Sequence, residues 1–418
     1  KDMNQLQIDK SENTKPGATF IGLGIDRRLF DALDRLGYKI PTPIQNQAIP
    51  LSIQGKDIIG IAQTGTGKTL AFSVPLIQSV IQKTKNGKGL IILPTRELAM
   101  QVEETLSKIG RAFGLKTATL IGGVPIYRQI RMIRNNPHII IGTPGRINDH
   151  IHQKTLNLNN VDILVLDEAD RMLDMGFAPQ INKILQVVPK NRQTMLFSAT
   201  IPDSIAKIAS NYMKLPVRIE IAKSGTMAEN IEHQLFFVSK NQKSALLKSL
   251  LSEYNGSVLI FIRVKHGAKK VCNFLKETGI SAAEIHSNRS LGQRKEALQG
   301  FKSGKYRVLT ATDIASRGID VKNIELVVNY DLPENAEDYV HRIGRTGRAG
   351  MKGKAISFAM PDQKPKIREI EKLTKINLPI SRLPGNLPIS KLECDYTNNF
   401  RPNKKRWRGY RRKNFRVN

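Results

Sequence analysis

The sequence predicts an α/β protein with two parallel-sheet domains in tandem, joined by a short linker and followed by a basic tail. Short, wholly apolar runs alternate with longer amphipathic segments over most of the chain, which is typical of parallel strands covered by helices on both faces. A small polar stretch, AKSGTMAEN at residues 222–230, interrupts this alternation. Near the end of the chain the periodicity disappears and basic side chains accumulate.

The first domain is predicted at residues 20–222, after a flexible segment at residues 1–19. It contains five apolar runs that are typical of buried strands, each followed by a segment with helical spacing such as RELAMQVEETLSKIGRAF. These runs are DIIGIA (57–62), GLIILP (89–94), HIIIGT (138–143), DILVLD (162–167) and QTMLFSAT (193–200).

The second domain is predicted at residues 231–378, after a linker at 223–230 and before a tail at 379–418. KSALLKSLLSEY and GAKKVCNFLKET are predicted helices, with Leu and Val at three- and four-residue spacing. Six runs are predicted strands: HQLFFV, SVLIFI, AAEIH, RVLTAT, LVVNYD and KAISFAM.

The composition indicates an acidic partner. Lys and Arg outnumber Asp and Glu by 66 to 36, a formal net charge of +30, and such an excess favours binding to nucleic acid, an anionic membrane or nucleotides. No apolar run approaches eighteen residues, so no membrane span is expected. The two cysteines, Cys272 and Cys394, have no metal-like spacing and favour a reducing compartment, so we expect a cytoplasmic protein.

A phosphate-binding loop is predicted at residues 62–69, AQTGTGKT. Its glycine-rich turn between a strand and a helix points backbone N–H groups at an anion. Lys68 can reach the β- and γ-phosphates of a nucleotide, and Thr69 can ligate Mg²⁺. Ala62 stands where the usual pattern has Gly, and the alternative is a surface loop with an incidental Gly-Lys-Thr.

Three carboxylates, Asp167, Glu168 and Asp170, directly follow the apolar run ILVL at residues 163–166. Such groups need a cation at the edge of a core, and Asp167 at the carboxyl end of a parallel strand would hold Mg²⁺ carried by the nucleotide. Glu168 is placed to orient and deprotonate the attacking water. We expect Asp170 to pair with a base or to cap the following helix. The alternative is a simple capped helix after a strand.

These two motifs, AQTGTGKT and DEAD, resemble those of the DEAD-box ATP-dependent RNA helicases, bacterial members with short basic tails most of all. The resemblance spans about Phe20 to Leu378 and implies two RecA-like domains. In that family the glutamine of a segment similar to GYKIPTPIQ binds the adenine edge, with aromatic residues nearby, so Gln45, Phe20 and Tyr38 are candidate base contacts. An amide suits adenine and implies ATP over GTP. The remaining loop residues implied to bind the nucleotide are Thr64, Gly65, Thr66 and Gly67.

The resemblance also implies an RNA-binding surface in the first domain, formed by PTRELA (94–99), GG (122–123) and TPGR (143–146). Arginines supply charge, while threonines and backbone N–H groups bind phosphates without reading bases. Each motif has the alternative of a helix cap or a turn glycine. The residues carried over are Pro94, Thr95, Arg96, Gly123, Thr143, Gly145 and Arg146.

Further family motifs imply coupling between hydrolysis and RNA. Ser198 and Thr200 of SAT would exchange partners with Asp170 as the site closes. In the second domain, Arg345 and Arg348 are three residues apart, and on a helix they would share a face and act as arginine fingers. A solvated basic helix is the alternative. The other residues implied are Gly318 and Asp320 for the nucleotide, Thr312 and Arg294 for RNA, and His341 for coupling or the core.

The chain departs from the family pattern in two loops. HSNRSLGQR at residues 286–294 has Ser287 and Leu291 where Gly and Gln are usual, which puts the support of Arg294 in doubt. Val264 replaces a common hydroxyl residue in FIRVKHGAK. The ATP-binding set is untouched by these changes.

The resemblance implies an RNA-stimulated ATPase that closes on RNA and separates a few base pairs locally. An ATP-gated RNA clamp or scaffold with little unwinding is the alternative within this class. A P-loop kinase or GTPase would not need paired arginines on a second domain or Gln45. Ribosomal precursors and RNA-decay complexes both remain open as RNA substrates, and the aromatic-rich tail RWRGYRRKNF is expected to tether single strands or to be a solubilising end.

Overall fold

The computed structural model describes residues 19–63, 65–82, 87–221, 231–313, 324–347 and 352–384. It confirms the predicted fold class, because the chain forms two parallel sheets with helices between the strands. Several predicted site residues lie outside the described ranges, together with the linker and most of the tail. They are Thr64, Gly318, Asp320 and Arg348.

The first sheet has seven strands in the order β3-β4-β2-β5-β6-β1-β7. Its strands are β1 (Ile58–Ile61), β2 (Lys88–Ile92), β3 (Thr117–Leu120), β4 (Ile139–Gly142), β5 (Val161–Leu166), β6 (Gln193–Ser198) and β7 (Val217–Glu220). Its helices are α1 (Arg27–Arg35), α2 (Pro43–Ile53), α3 (Lys68–Gln82), α4 (Arg96–Gly110), α5 (Ile126–Arg134), α6 (Pro144–His152), α7 (Ala169–Asp174), α8 (Ala178–Val187) and α9 (Asp203–Tyr212).

The second sheet has six strands in the order β10-β11-β9-β12-β13-β8. These are β8 (Ile231–Phe237), β9 (Val258–Phe261), β10 (Ala282–Ile285), β11 (Val308–Ala311), β12 (Leu326–Asn329) and β13 (Gly353–Ala359). The helices are α10 (Lys243–Glu253), α11 (Lys265–Glu277), α12 (Leu291–Lys302), α13 (Ala336–Ile343) and α14 (Lys364–Thr374).

Two strands of the first sheet do not follow from the apolar pattern. β3 and β7 lie at the two edges of the sheet, and their residues alternate between buried and partly exposed positions. Because an edge strand is covered less completely, its sequence is less apolar than that of a central strand. All six predicted strands of the second sheet are present.

Apolar side chains fill both faces of each sheet. Residues just after position 378 bond to β8, since Leu235 N donates to Pro379 O at 2.9 Å and Ser381 N donates to Leu235 O at 2.8 Å. Within the ranges that the structure describes, none of the helices is both long and apolar enough to cross a membrane.

The strand order divides the predicted motifs of the first half into two neighbouring groups. β5, β6 and β1 are adjacent, and the DEAD, SAT and phosphate-loop motifs follow them. β3, β4 and β2 are also adjacent, and GG, TPGR and PTRELA follow them. Since the carboxyl ends of parallel strands share one edge of a sheet, the nucleotide motifs and the RNA motifs lie side by side there.

Candidate active site and nucleic-acid interface

The phosphate loop connects β1 to α3, and its shape depends on glycine. Gly65 and Gly67 have φ values of +89° and +95°, which favour residues without a Cβ. A Cβ on Gly67 would also lie 2.3 Å from Gln45 Nε2. Lys68 begins α3, is buried, and donates from Nζ to Ala62 O at 2.8 Å. The lysine is therefore held against the start of the loop.

Gln45, the predicted adenine contact, lies next to this loop. Gln45 on α2 accepts from Thr42 N at Oε1 (2.9 Å) and donates from Nε2 to Gly67 O (3.0 Å). These bonds use half of the capacity of an amide, which leaves one N–H and one lone pair for a base edge. Phe20 is buried in the core that contains α2, whereas Tyr38 is 39% exposed.

Asp167 and Glu168 follow β5 and are both buried. Asp167 N donates to Ile92 O, and Asp167 Oδ1 accepts from Glu168 N at 2.9 Å. Glu168 has φ 52° and ψ 48°, a left-handed conformation that is uncommon for a residue with a side chain and typical of functional sites. Its Oε2 accepts from Arg171 Nη1 at 2.9 Å. The strained turn thus orients the Glu168 carboxylate toward the buried guanidinium of Arg171.

The two carboxyl groups have different electrostatic surroundings. Burial raises the pKa of Asp167 to about 6, against the opposing effect of Lys68, and the negative charge of Glu168 adds to the rise. Burial also acts to raise the pKa of Glu168, but Arg171, Lys68 and Arg345 outweigh it and lower that pKa below its usual value. Glu168 is therefore ionised at neutral pH, as a general base must be.

The donor set at this site is compatible with Mg²⁺. Asp167 is a buried carboxyl group whose negative charge is only partly offset by Lys68, so a divalent cation would stabilise its ionised form. In the described part of the chain, no cluster of three or more His, Cys, Asp or Glu side chains forms a metal cage. Mg²⁺ does not require one, because it keeps waters and is bound through one or two carboxylates plus substrate phosphates.

Asp170 contacts the SAT turn, the partner that the family motifs implied, and has neither of the two other roles predicted for it. Its Oδ2 accepts from Ala199 N (3.0 Å), Thr200 N (2.9 Å) and Thr200 Oγ1 (3.0 Å). The cap position of α7 is occupied by Glu168 instead. The prediction that Asp170 pairs with a base or caps the helix is therefore wrong. The carboxylate binds the SAT turn after β6, to which Ser198 Oγ adds a bond from Asp170 N at 3.2 Å.

Two residues of the second half lie within electrostatic reach of the DEAD turn. Burial lowers the pKa of His341 well below its usual value, and the charge of Arg171 adds to this effect, while the charge of Glu168 opposes it. Arg345 is buried and contributes to the low pKa of Glu168. The predicted helical position of Arg345 is wrong, because α13 ends at Ile343 and Gly344 caps it. Arg345 is instead on the turn that follows.

The sequence motifs did not predict a role for Arg342, which is buried in the second half. Its Nε and Nη2 donate to the two carboxylate oxygens of Asp313 at 2.6 and 2.7 Å, and its Nη1 donates to Asp331 O at 2.6 Å. Asp313 directly follows Thr312, a predicted RNA contact. This bidentate pair fixes the Thr312 loop to α13, which carries His341.

The three predicted RNA motifs of the first half converge on the GG turn. Gly123 has φ +79°, and a Cβ there would lie 2.5 Å from Arg96 Nη1. Arg146 Nη1 donates to Val124 O at 2.9 Å. Thr95 caps α4 by accepting from Leu98 N, and Thr143 occupies the cap position of α6. Pro94 directly precedes Thr95, and Gly145 lies in the first turn of α6.

Arg294 is supported in spite of the departures around it. Its Nη2 lies 2.9 Å from Glu97 Oε2 of the first half, and both side chains are buried. Burial raises the pKa of Glu97, while Arg294 opposes this rise. Leu291, where the family usually has Gln, packs against the apolar core of the first half. An apolar contact and an ion pair therefore join α12 to the first half.

Comparisons with known proteins agree with these motifs over most of the chain. The DEAD/DEAH box helicase family matches residues 42–208, and the helicase conserved C-terminal domain matches residues 241–350. The ATP-dependent RNA helicase CshA of Listeria monocytogenes is 45% identical over 357 residues, which are 85% of this chain and 69% of that protein.

Two solved structures share the fold of the chain. Dbp5 of S. cerevisiae bound to RNA and ADP BeF3 is 30% identical, with a TM-score of 0.79, and the match covers 87% of this chain and 95% of that one. Mss116p bound to ssRNA and AMP-PNP is 29% identical, with a TM-score of 0.82, and the match covers 90% and 82% of the two chains.

Proposed function

The chain belongs to the DEAD-box family of ATP-dependent RNA helicases, and from this premise we propose how its residues couple ATP hydrolysis to RNA. It is an RNA helicase that uses ATP. The phosphate loop of the first half and Arg345 of the second half complete one ATP site. An RNA strand lying across both halves favours this arrangement, and closure on it separates a few base pairs locally.

The observation that carries the proposal is the effect of Arg345 on Glu168. An arginine of the second half contributes to lowering the pKa of a carboxylate in the first half, and the ion pair of Arg294 with Glu97 at 2.9 Å joins the two halves. A guanidinium in this position stabilises the charge that develops during phosphoryl transfer. Neither half contains both groups, which makes hydrolysis depend on closure.

Each buried group of the site has a proposed task. Lys68 and the N–H groups of the loop bind the phosphates, and Gln45 with Phe20 and Tyr38 binds the base. Mg²⁺, held by Asp167 and Thr69, would neutralise phosphate charge. Glu168 takes the proton of the attacking water. The network of Asp170, Ser198 and Thr200, together with His341, transmits the state of the site to the RNA surface. We also propose that Gly318 and Asp320 bind the nucleotide and that Arg348 acts as a second arginine finger.

The RNA surface is proposed to bind backbone and not bases. Arg96, Arg146 and the Gly123 turn offer charge and N–H groups, with Thr312 and Arg294 added from the second half. The domain bounds 20–222 and 231–378 remain proposals. We also propose a cytoplasmic location, in keeping with Cys272, which is a free, buried thiol.

The experiment that tests the proposal compares ATP and GTP turnover with and without a single-stranded RNA. RNA is expected to stimulate ATP turnover. We expect a preference for ATP of about tenfold or more, because a paired base contact of the Gln45 type is worth about 1–3 kcal/mol. A strand-displacement assay on a short RNA duplex separates a helicase from a clamp. Equal use of GTP, or ATP turnover indifferent to RNA, would contradict the proposal.

A further inference from the structure

The backbone of the GG turn is hydrogen-bonded by one buried side-chain amide, that of Gln129. Gln129 is the only buried residue of α5 and is completely inaccessible to solvent. Its Nε2 donates to Ile121 O at 2.8 Å and to Val124 O at 3.3 Å, the carbonyls on either side of the two glycines. Burying an amide at the one fully buried position of a helix costs free energy unless the amide is hydrogen-bonded. This residue therefore fixes the turn and does not simply fill the core.

The remaining polar atom of Gln129, Oε1, contacts a side chain of a second helix, α6. Its Oε1 lies 3.2 Å from His150 Nε2, and His150 Nδ1 lies 2.8 Å from Thr155 Oγ1. Because Oε1 can only accept, the ring must carry a proton on Nε2. When the ring is neutral, Nδ1 is an acceptor that shares the Thr155 hydroxyl with His150 O, which lies 3.2 Å from Thr155 Oγ1. Burial lowers the pKa of His150, and the charge of Arg146 adds to this effect. The ring is thus neutral and has one defined tautomer.

This network connects the loops of all three RNA motifs. Val124 O accepts from both Gln129 Nε2 and Arg146 Nη1, so the arginine of TPGR depends on the same carbonyl. The guanidinium of Arg96 lies against the glycines of the turn. His150 belongs to α6, the helix that begins with the TPGR loop. A shift of Gln129 would therefore move groups of PTRELA, GG and TPGR together.

We propose that Gln129 and His150 are positioning residues for RNA binding, which keep the GG turn, Arg96 and Arg146 in one phosphate-binding arrangement. The inference rests on the proposed function, because it assigns these residues to the RNA surface of the first half. Neither side chain is exposed, so neither touches RNA itself. Both act through the backbone carbonyls and the guanidinium groups that they hold.

The test uses a matched pair of glutamines in the full-length protein. Gln193 also donates from Nε2 to two backbone carbonyls, Ser52 O near the end of α2 and Lys56 O after it, each at 2.8 Å, but it lies at the amino end of β6. We expect Gln129→Leu to raise the RNA concentration for half-maximal ATPase stimulation about tenfold, the effect of losing about one net hydrogen bond. RNA-independent ATP hydrolysis should stay unchanged. Gln193→Leu should leave both quantities unchanged.

A second pair of variants tests the network through His150. His150→Gln keeps an Nε2 donor for Gln129 and should retain near-normal RNA dependence, whereas His150→Phe removes it and should resemble Gln129→Leu. This pair gives the same comparison if Gln129→Leu does not fold.

Equal RNA dependence in Gln129→Leu and Gln193→Leu, or no difference between the two His150 variants, would overturn the inference. A lack of RNA stimulation in the unsubstituted protein would be a separate result, because it overturns the proposed function and this inference with it.

Discussion

Replacing Glu168 with glutamine is expected to abolish ATP turnover while leaving the binding of ATP and RNA intact. Glutamine has the same shape and can still accept from Arg171, but it cannot take a proton from water. General-base catalysis contributes about 10²–10⁴-fold, so kcat should fall by about that factor. The left-handed backbone at Glu168 is retained, since the substitution does not alter the main chain. The measurement is multiple-turnover ATPase at saturating RNA.

The control for this variant is an exposed glutamate of the same domain. Glu104 on α4 forms a solvent-exposed ion pair with Lys108 at 2.7 Å, and such pairs contribute little. Glu104→Gln should therefore keep full activity. Affinity for a non-hydrolysable ATP analogue should match the unsubstituted protein in both variants. Normal turnover by Glu168→Gln would show that another group deprotonates the water.

Replacing Arg345 with alanine is expected to have an equal or larger effect. The side chain is buried and acts on Glu168 from the second half. Arginine fingers contribute about 10³–10⁵-fold to kcat, so RNA-stimulated hydrolysis should become almost undetectable. Arg345→Lys should not restore it, because an ammonium group lacks the planar fork of donors that matches a phosphate. Single-turnover hydrolysis at saturating ATP and RNA measures the effect on chemistry.

An exposed arginine of the second half provides the comparison for Arg345. Arg368 lies on α14 and is exposed, so Arg368→Ala should hydrolyse ATP normally. Hydrolysis by Arg345→Ala at more than about a tenth of the normal rate would be incompatible with a finger role. A loss of RNA affinity without a change in the hydrolysis rate would assign this residue to the RNA surface instead.

The sequence predicts the strands that are completely buried and does not predict those that are partly exposed. Central strands such as β5 are apolar at nearly every position, with Asp162 the exception in β5, and the pattern identifies them directly. The edge strands β3 and β7 alternate, because part of each is exposed. The helical placement of Arg345 failed for a local reason: Gly344 ends α13 one residue earlier, and spacing alone does not show where a helix stops.

Site residues could be predicted from the sequence only where they belong to a short sequence motif. Residues in one motif, such as Lys68 and Glu168, could be assigned from their neighbours in the chain. Arg342 and Asp313 are 29 positions apart, and their pairing is a product of tertiary structure. Gln129 and His150, 21 positions apart, meet because α5 and α6 both pack under the GG turn. No local periodicity carries such information.

Leu291 illustrates how a departure from a family pattern can be compensated. The sequence raised doubt about Arg294 because the usual Gln is absent three positions before it. In the structure Leu291 packs on the first half, and Arg294 keeps its ion pair with Glu97. The substitution therefore adds an apolar contact beside the ion pair and leaves Arg294 in place.

The division of one ATP site between two halves is tested most directly by separating them. Hydrolysis of ATP by residues 1–222 alone should be compared with that of the intact chain, with and without RNA, after confirming that the fragment binds an ATP analogue. The fragment should hydrolyse ATP far more slowly than the RNA-saturated intact chain and should not respond to RNA. Hydrolysis by the fragment as fast as by the intact chain, without RNA, would contradict a shared site.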